Sequence, residues 1–284
     1  MISVLQFGTI DYATGLRLQQ KLVDLRKEDR VGDVLLLLEH TPVITLGRNA
    51  KARNVLASPE QLTKRGVEVF ECDRGGDVTY HGPGQLVGYP IFDLRSFASH
   101  HGKRKTLGAV EFVRDLEVVL IRTCADFGVA SERIAGLTGV WTNPPRNGER
   151  SRLAVDIEKT PTVSEAHMAS GEAAKIAAIG IHVSRGITSH GFALNVDTDL
   201  DQFQLIIPCG ITSKPVTSLA KELGHPLSLK EIANSVSRNL GIVFNSQVMT
   251  IESLDALLGH SVGVPLKPPS ELRNLHKEDD IFWA

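Results

Sequence analysis

Three features of this chain carry residue types that do chemistry. The first is Arg74 to Asp93, RGGDVTYHGPGQLVGYPIFD, which sets Gly75, Gly76, Gly82, Gly84 and Gly88 among an arginine, a histidine, two tyrosines and a glutamine. Clustered glycines mark places where the backbone turns sharply or comes close to something. The second is Ile206-Ile207-Pro208-Cys209-Gly210, which puts a thiol on a Pro-Cys-Gly turn just after an apolar run. The third is Lys175, which opens the strand-like KIAAIGIHV. A thiol on an irregular turn, a lysine and a glycine-rich wall are the ingredients of acyl transfer through a thioester. The turn can offer N–H groups to a developing oxyanion. The lysine can act as a cation that favours the thiolate, or as a desolvated base. Read from residue type alone, Cys209 is a buried core cysteine and Lys175 a surface residue at a strand start; it is the irregular turn set by Pro208 and Gly210 that favours the nucleophile.

The elements that must position these residues follow from periodicity. Ile2 to Phe7, Val34 to Leu38, Pro42 to Leu46, Gln85 to Leu94 and Val140 to Thr142 read as strands. Lys175 to Ser184 and Gly191 to Val196 read as paired strands around a turn at Arg185-Gly186. Tyr12 to Asp29 and Leu107 to Phe127 read as helices, the second with Val110, Val113, Leu116, Leu120 and Cys124 on its core face. Ser228-Leu229-Lys230-Glu231 has the capping-box pattern and predicts a helix to about Leu240, followed by a short one over Thr250 to Leu258. Strands mixed with helices, but not in strict alternation, predict an α/β or α+β fold: a mixed β-sheet with flanking helices. The spacing predicts a single domain over 1–263, with a long polar loop at 143–174 and an extended or frayed tail at 264–284.

Composition excludes other classes. With 31 basic and 33 acidic residues the net charge is −2, and aromatics are 5%, so nothing predicts a nucleic-acid surface. Three widely spaced cysteines without a CxxC form neither a disulfide framework nor a zinc site. There is no secretory leader pattern and no apolar run long enough to span a bilayer, so the expectation is a cytoplasmic protein without a membrane partner. His81, His182 and His190 lack metal-ligand spacing; His81 and His190 suit pocket walls, and His182 is expected to face solvent. Neither a metal nor a cofactor is expected. Arg74-Gly75-Gly76 is either an anion cradle or a glycine-rich turn with a structural arginine, and it lacks the P-loop pattern. Cys72 is the rival thiol, but Glu71 and Asp73 beside it disfavour a thiolate, and Cys124 reads as core. Arg48, Lys51 and Arg53 form a basic loop suited to an acidic protein partner or simply to water.

Taken together, these residues resemble the lipoyl(octanoyl) transferases. The likeness runs from HTPVITLGR through RGGDVTYHGPGQLVGYP, then GVW, K-I-x-x-I-G, HGFALNV and F-x-x-I-x-PCGI. It implies the fold of the biotin and lipoate protein ligases. It implies that Cys209 is the acyl-thioester nucleophile and that Lys175 lowers its pKa. It implies that three segments hold the acyl substrate: Arg74, Gly75, Gly76, Asp77, Val78, Thr79, Tyr80 and His81; Ala178, Ile179 and Gly180; and Gly191, Phe192 and Ala193. The donor would be octanoyl-acyl carrier protein. The acceptors would be lipoyl domains of 2-oxoacid dehydrogenase complexes and the glycine cleavage H protein. Glycine at 75, 76 and 191 is expected to let the acyl chain lie against the main chain, with Tyr80 and His81 at the polar mouth. Two other readings are an ATP-dependent lipoate or biotin ligase and a non-catalytic acyl-carrier-binding protein. The first needs an adenylate-binding pattern such as GRGRxGR, which is absent, and the second should lack Cys209 or Lys175. The stretch at 143–174 is longer than the resemblance accounts for.

Overall fold

A computed structural model describes residues 1–99, 105–142, 173–210 and 214–258. The 143–174 loop, except for its last two residues, and the whole 264–284 tail lie outside them.

The apolar run in β2 (Asp33–His40) explains the main architecture. Val34 to Leu38 are all buried, so both faces of this strand must be covered. Leu35 and Leu37 pack with Phe112, Leu116 and Leu120 of α3 (Ala109–Asp126). Leu36 and Leu38 pack with Leu18 and Leu22 of α1 (Tyr12–Lys27) on the opposite face. The sheet that carries β2 has eight strands. With β1 (Ile2–Ile10), β6 (Gln85–Ile91), β7 (Ser131–Ile134), β8 (Leu137–Thr142), β9 (Lys175–Ser184), β10 (Ile187–Asn195) and β11 (Val248–Ile251), the order is β11-β1-β2-β6-β10-β9-β8-β7. β1 runs parallel to β2 and β11, and the other pairings are antiparallel, so the sheet is mixed. A second sheet, in the order β4-β3-β5, joins β3 (Val43–Leu46), β4 (Glu68–Glu71) and β5 (Val78–His81). It has its own small core, in which Ile44, Val78 and Tyr80 meet Leu62 of α2 (Pro59–Arg65) and Phe203.

Several expectations are revised. Val110 is 74% exposed, and Phe112 takes the core position. At 100° per residue, Phe112, Leu116, Val119 and Leu120 share a stripe, and Val110 stands about 200° from Phe112. β10 begins at Ile187, earlier than the expected Gly191, because the Arg185-Gly186 turn (φ 52° and 86°) is a two-residue hairpin connection. Between Val248 and Ile251 the chain forms edge strand β11, not helix. Helix α6 follows at Leu254–Leu258. Ser228 caps α5 (Leu229–Val243) by accepting from Glu231 N, which is half of the expected box. The reciprocal box lies instead at Ser58 and Gln61, ahead of α2. The remaining helix, α4 (Leu219–Leu223), is a single turn and a half. Among the described residues no helix is long and apolar enough to cross a membrane, and no three His, Cys, Asp or Glu side chains group as a metal site.

Candidate active site

Lys175 is fixed by backbone pairing on both sides. On one side Trp141 pairs with it across a bulge on β9, since Val140 pairs with Ala177. Bulges re-aim side chains. On the other side its N–H donates to Pro215 O (2.8 Å), and Thr217 N donates to its carbonyl (2.9 Å). The side chain is 7% exposed, and Nζ stands 5.1 Å from the centroid of the Trp141 ring. Gly139 makes room for it. A Cβ there would lie 2.5 Å from Ala177 O and 2.8 Å from Lys175 Cε, and its φ is +120°. The Gly139 N–H is held by Glu117, a buried carboxylate that also pairs with Arg114 and Arg133.

Lys175 Nζ donates to Cys209 Sγ at 3.2 Å. The two residues are 34 apart in sequence. Cys209 sits in the left-handed region (φ 55°, ψ 20°), an uncommon conformation for a residue with a side chain. The strap that carries it is stitched to the segment after β3. Leu56 N donates to Leu205 O and Ile207 N to Asn54 O (2.7 Å). Asn54 Nδ2 in turn donates to Asp77 Oδ2 (2.6 Å), and a Cβ on Gly210 would stand 2.7 Å from that oxygen. The Gly210 N–H donates to Ile207 O at 3.1 Å, so this N–H of the turn is directed inward.

Two small cavities meet at the thiol. One, of about 50 Å³, is lined by Arg74, Gly75, Gly76, Asp77, Thr79 and His81 from one side. Ala178, Ile179, Gly180, Gly191, Phe192 and Ala193 line it from the other. A smaller one, of about 10 Å³, includes Lys175. Thr79, Ala178, Ala193 and Cys209 belong to both. Val78 and Tyr80 are not on either wall. Successive side chains of β5 point to opposite faces, so these two enter the small core while Thr79 and His81 face the cavity. Tyr80 is 2% exposed and packs on Phe203 (ring centroids 5.6 Å apart), so it does not form a mouth. Gly75, Gly76 and Gly191 all line the cavity, and the glycines also serve close packing. A Cβ on Gly180 would strike Gly75 O at 2.5 Å, and one on Gly191 would strike Gly88 O at 2.0 Å. They allow strands and loops to approach one another, and the cavity is a result of that approach. Gly76 is needed for its φ of +92°.

Sequence reasoning missed Tyr12, Val87 and Tyr89, which also line the cavity. Tyr89 lies in the GYP end of the glycine-rich stretch, where period-2 alternation through Val87 points it to the same face. Tyr89 and its neighbours His40, His81 and Gln85 are held by hydrogen bonds between neutral groups. Ile10 O can only accept, so His40 Nδ1–H donates to it (3.0 Å) and Nε2 accepts from the Tyr89 hydroxyl (2.6 Å). Gln85 Nε2 donates to Tyr80 O and Asn195 Oδ1, which leaves Oε1 to accept from His81 Nδ1–H at 2.7 Å. Burial pushes His40 down to about 4 and His81 down to about 3, so both rings are uncharged at neutral pH. Arg74 is a structural arginine at the cavity wall: it donates to Thr45 Oγ1, Thr45 O (2.6 Å) and Gly75 O.

Beside the cavity, His190 Nε2 and His182 Nδ1 each stand 2.6 Å from the Asp73 carboxylate, and Arg48 Nη2 stands 2.8 Å from the same His182 nitrogen. His182 therefore does not simply face solvent. The His190 hydrogen bond, ahead of the nearby histidine charges, holds Asp73 down to about 2. Burial pushes the Cys124 thiol up to about 12, in keeping with a core residue.

Residues 11–241 match the family model of the lipoyl protein ligase A/B catalytic domain. An octanoyltransferase of Koribacter versatilis is 52% identical over 280 residues, covering 98% of each chain. One from Acidobacterium capsulatum is 55% identical over 260 residues, covering 91% of this chain and 96% of its own. Among solved structures, a bi-partite lipoate protein ligase from Thermoplasma acidophilum superposes with a TM-score of 0.62 at 15% identity, covering 90% of this chain and 89% of its own. Lipoate-protein ligase A bound with ATP gives 0.58, also at 15% identity, covering 90% and 91%. These last two likenesses concern the fold. The chain belongs to the lipoyl protein ligase A/B catalytic-domain family, and within it to the octanoyltransferases, which are acyltransferases.

Proposed function

We propose that octanoyl transfer by this chain runs through a thioester on Cys209, with octanoyl-acyl carrier protein as donor. The observation that carries this reading is the 3.2 Å contact of Lys175 Nζ with Cys209 Sγ where the two cavities meet. An ammonium so close to sulfur stabilises negative charge on it. The thiolate attacks the donor carbonyl, a carbon–sulfur bond to Cys209 forms, and the carrier's carbon–sulfur bond breaks. The carrier thiolate leaves and takes a proton. In the second half, the deprotonated amine of an acceptor lysine attacks the same carbonyl. The amide forms, Cys209 leaves as thiolate, and the amine loses its proton. The first exchange swaps one thioester for another, and the second ends in an amide, so no ATP is required. The nucleophile divides one difficult transfer into two easier ones.

The segments Arg74 to Asp77, Thr79, His81, Ala178 to Gly180 and Gly191 to Ala193 hold the acyl chain in this reading. Burying each methylene contributes about 0.8 kcal/mol. The acceptors are lipoyl domains of 2-oxoacid dehydrogenase complexes and the glycine cleavage H protein. In support, one solved relative of this fold was determined as part of a lipoylation system with its E2 lipoyl domain. The free thiols Cys72, Cys124 and Cys209 suit a reducing cytoplasm.

The test is the intact mass after mixing with octanoyl-acyl carrier protein, without ATP. One octanoyl increment should appear on the wild type and be absent from Cys209→Ser. An adduct that survives this substitution, or that maps to Cys72, would refute the assignment.

A further inference from the structure

The cavity has an open end and a closed end. At the open end Gly76 is exposed, and Asp77 and Cys209 are partly so. At the closed end the lining side chains are buried: Tyr12, Val87 and Tyr89 are 1%, 1% and 4% exposed. Tyr12 opens α1 and is wedged from three sides. Its ring lies parallel to His81 (6.3 Å between centroids, 9°), edge-on to His40 (5.2 Å, 69°) and tilted against Phe70 (5.4 Å). Its hydroxyl meets the Cys72 thiol, whose Sγ donates onward to Leu46 O.

Behind that contact is a second space. Cys72, Asp73, His182 and His190 line a groove of about 630 Å³ together with Leu16 and Val23 of α1. His190 is the lining residue that this groove shares with the cavity at the thiol. Tyr12, which lines the cavity, and Cys72, which lines the groove, thus stand back to back between a narrow apolar space and a much larger open one.

The length of wall between the thiol turn and the ring is comparable with that of a particular acyl chain. Asp77 touches the Cys209-Gly210 turn at one end, and His81 stacks on Tyr12 at the other. Four residues of extended chain at about 3.3 Å each separate them by about 13 Å. An extended octanoyl chain, built from C–C bonds of about 1.5 Å, is roughly 9 Å long before its bond to sulfur is added. A chain four carbons longer would need the space that the Tyr12 ring occupies.

We infer that Tyr12 is the residue that sets the upper limit on acyl-chain length. The inference rests on the proposed reading that the cavity at Cys209 receives the acyl chain. The ring is held by His81, His40 and Phe70, so it does not swing aside for extra methylenes. Removing it opens space beyond the closed end, toward Cys72, for the extra methylenes of a longer chain.

The experiment compares initial rates of Cys209 acylation by octanoyl- and dodecanoyl-pantetheine, read by intact mass. The dodecanoyl-to-octanoyl ratio should rise about tenfold or more in Tyr12→Ala. Tyr12→Phe keeps the ring and should keep the wild-type ratio. Tyr12→Leu removes the ring but leaves an apolar side chain at the start of α1, and decides the matter should the alanine protein fail to fold. An unchanged ratio in a folded alanine or leucine variant that still takes octanoyl would overturn the assignment, as would a phenylalanine variant that takes dodecanoyl equally well. A wild type that takes no acyl group from either thioester would instead sink the underlying thioester reading.

Discussion

Acid should loosen this protein through the two histidines that back its cavity. His40 and His81 are neutral when folded, with burial holding them to about 4 and about 3 against an ordinary 6.5. In the unfolded chain both protonate as pH falls through 6.5, so the unfolded state binds more protons. Stability is therefore complete above pH 6.5 and declines as pH drops from there toward 4 and 3. Within that window each ring costs about 1.4 kcal/mol per pH unit below 6.5. At pH 5 this is about 2 kcal/mol per histidine and about 4 kcal/mol for the pair, a large part of an ordinary domain's total stability of about 5–15 kcal/mol. Urea unfolding at steps from pH 7.5 to 5 measures the slope. His81→Gln removes one titrating ring and should reduce that slope by about 1.4 kcal/mol per pH unit relative to the wild type. Equal slopes in the two proteins would refute the claim that His81 is buried uncharged, and with it the hydrogen-bond assignment of His81 Nδ1–H to Gln85 Oε1.

Three further outcomes are expected. Lys175→Ala should slow alkylation of Cys209 at pH 7 by about tenfold or more, since the cation 3.2 Å from the sulfur is lost, and Lys175→Arg should not restore it, because a planar guanidinium differs from a point ammonium; labelling followed by peptide mapping reads both. Gly139→Ala should lower stability by about 1–3 kcal/mol and slow the same alkylation, because φ is +120° and the new Cβ would strike Ala177 O and the Lys175 stem. Charge reversal at Lys51 and Arg53, exposed on the loop over the cavity mouth, should slow loading from the acyl carrier protein and flatten its salt dependence, with loading from octanoyl-pantetheine as the control.

The legible part of the sequence was what is local. The apolar run of β2, the Arg185-Gly186 hairpin and the stripe through Leu116 and Leu120 fix their own conformations. The order of the motifs around Lys175 and Cys209 pointed to two residues that the fold then brings into contact. What could not be read was pairing between distant segments. The separation of β3, β4 and β5 into their own sheet, the joining of β11 to β1 and the bulge that aims Lys175 depend on partners far along the chain. The placement of Val78 and Tyr80 was a different matter. Alternation along VTYH already assigns them to the face opposite Thr79 and His81, and treating the motif as one continuous wall concealed it.

The two halves of the Lys175–Cys209 pair come from different kinds of structure, a strand end and an irregular strap. Lys175 begins β9 of the large sheet, while the strap with Cys209 is stitched through Asn54 and Asp77 to the flanks of the small one. The contact depends on how the strap, held to the small sheet on one side and to Lys175 through Pro215 and Thr217 on the other, sits against β9. A separation of an ångström or two, far below anything that changes the content of helix or strand, would already leave the sulfur without its cation. Thiol reactivity is thus a built-in gauge of how the strap sits on β9. On heating it should fade before the large sheet melts, and a ligand that bridges the two should sharpen it.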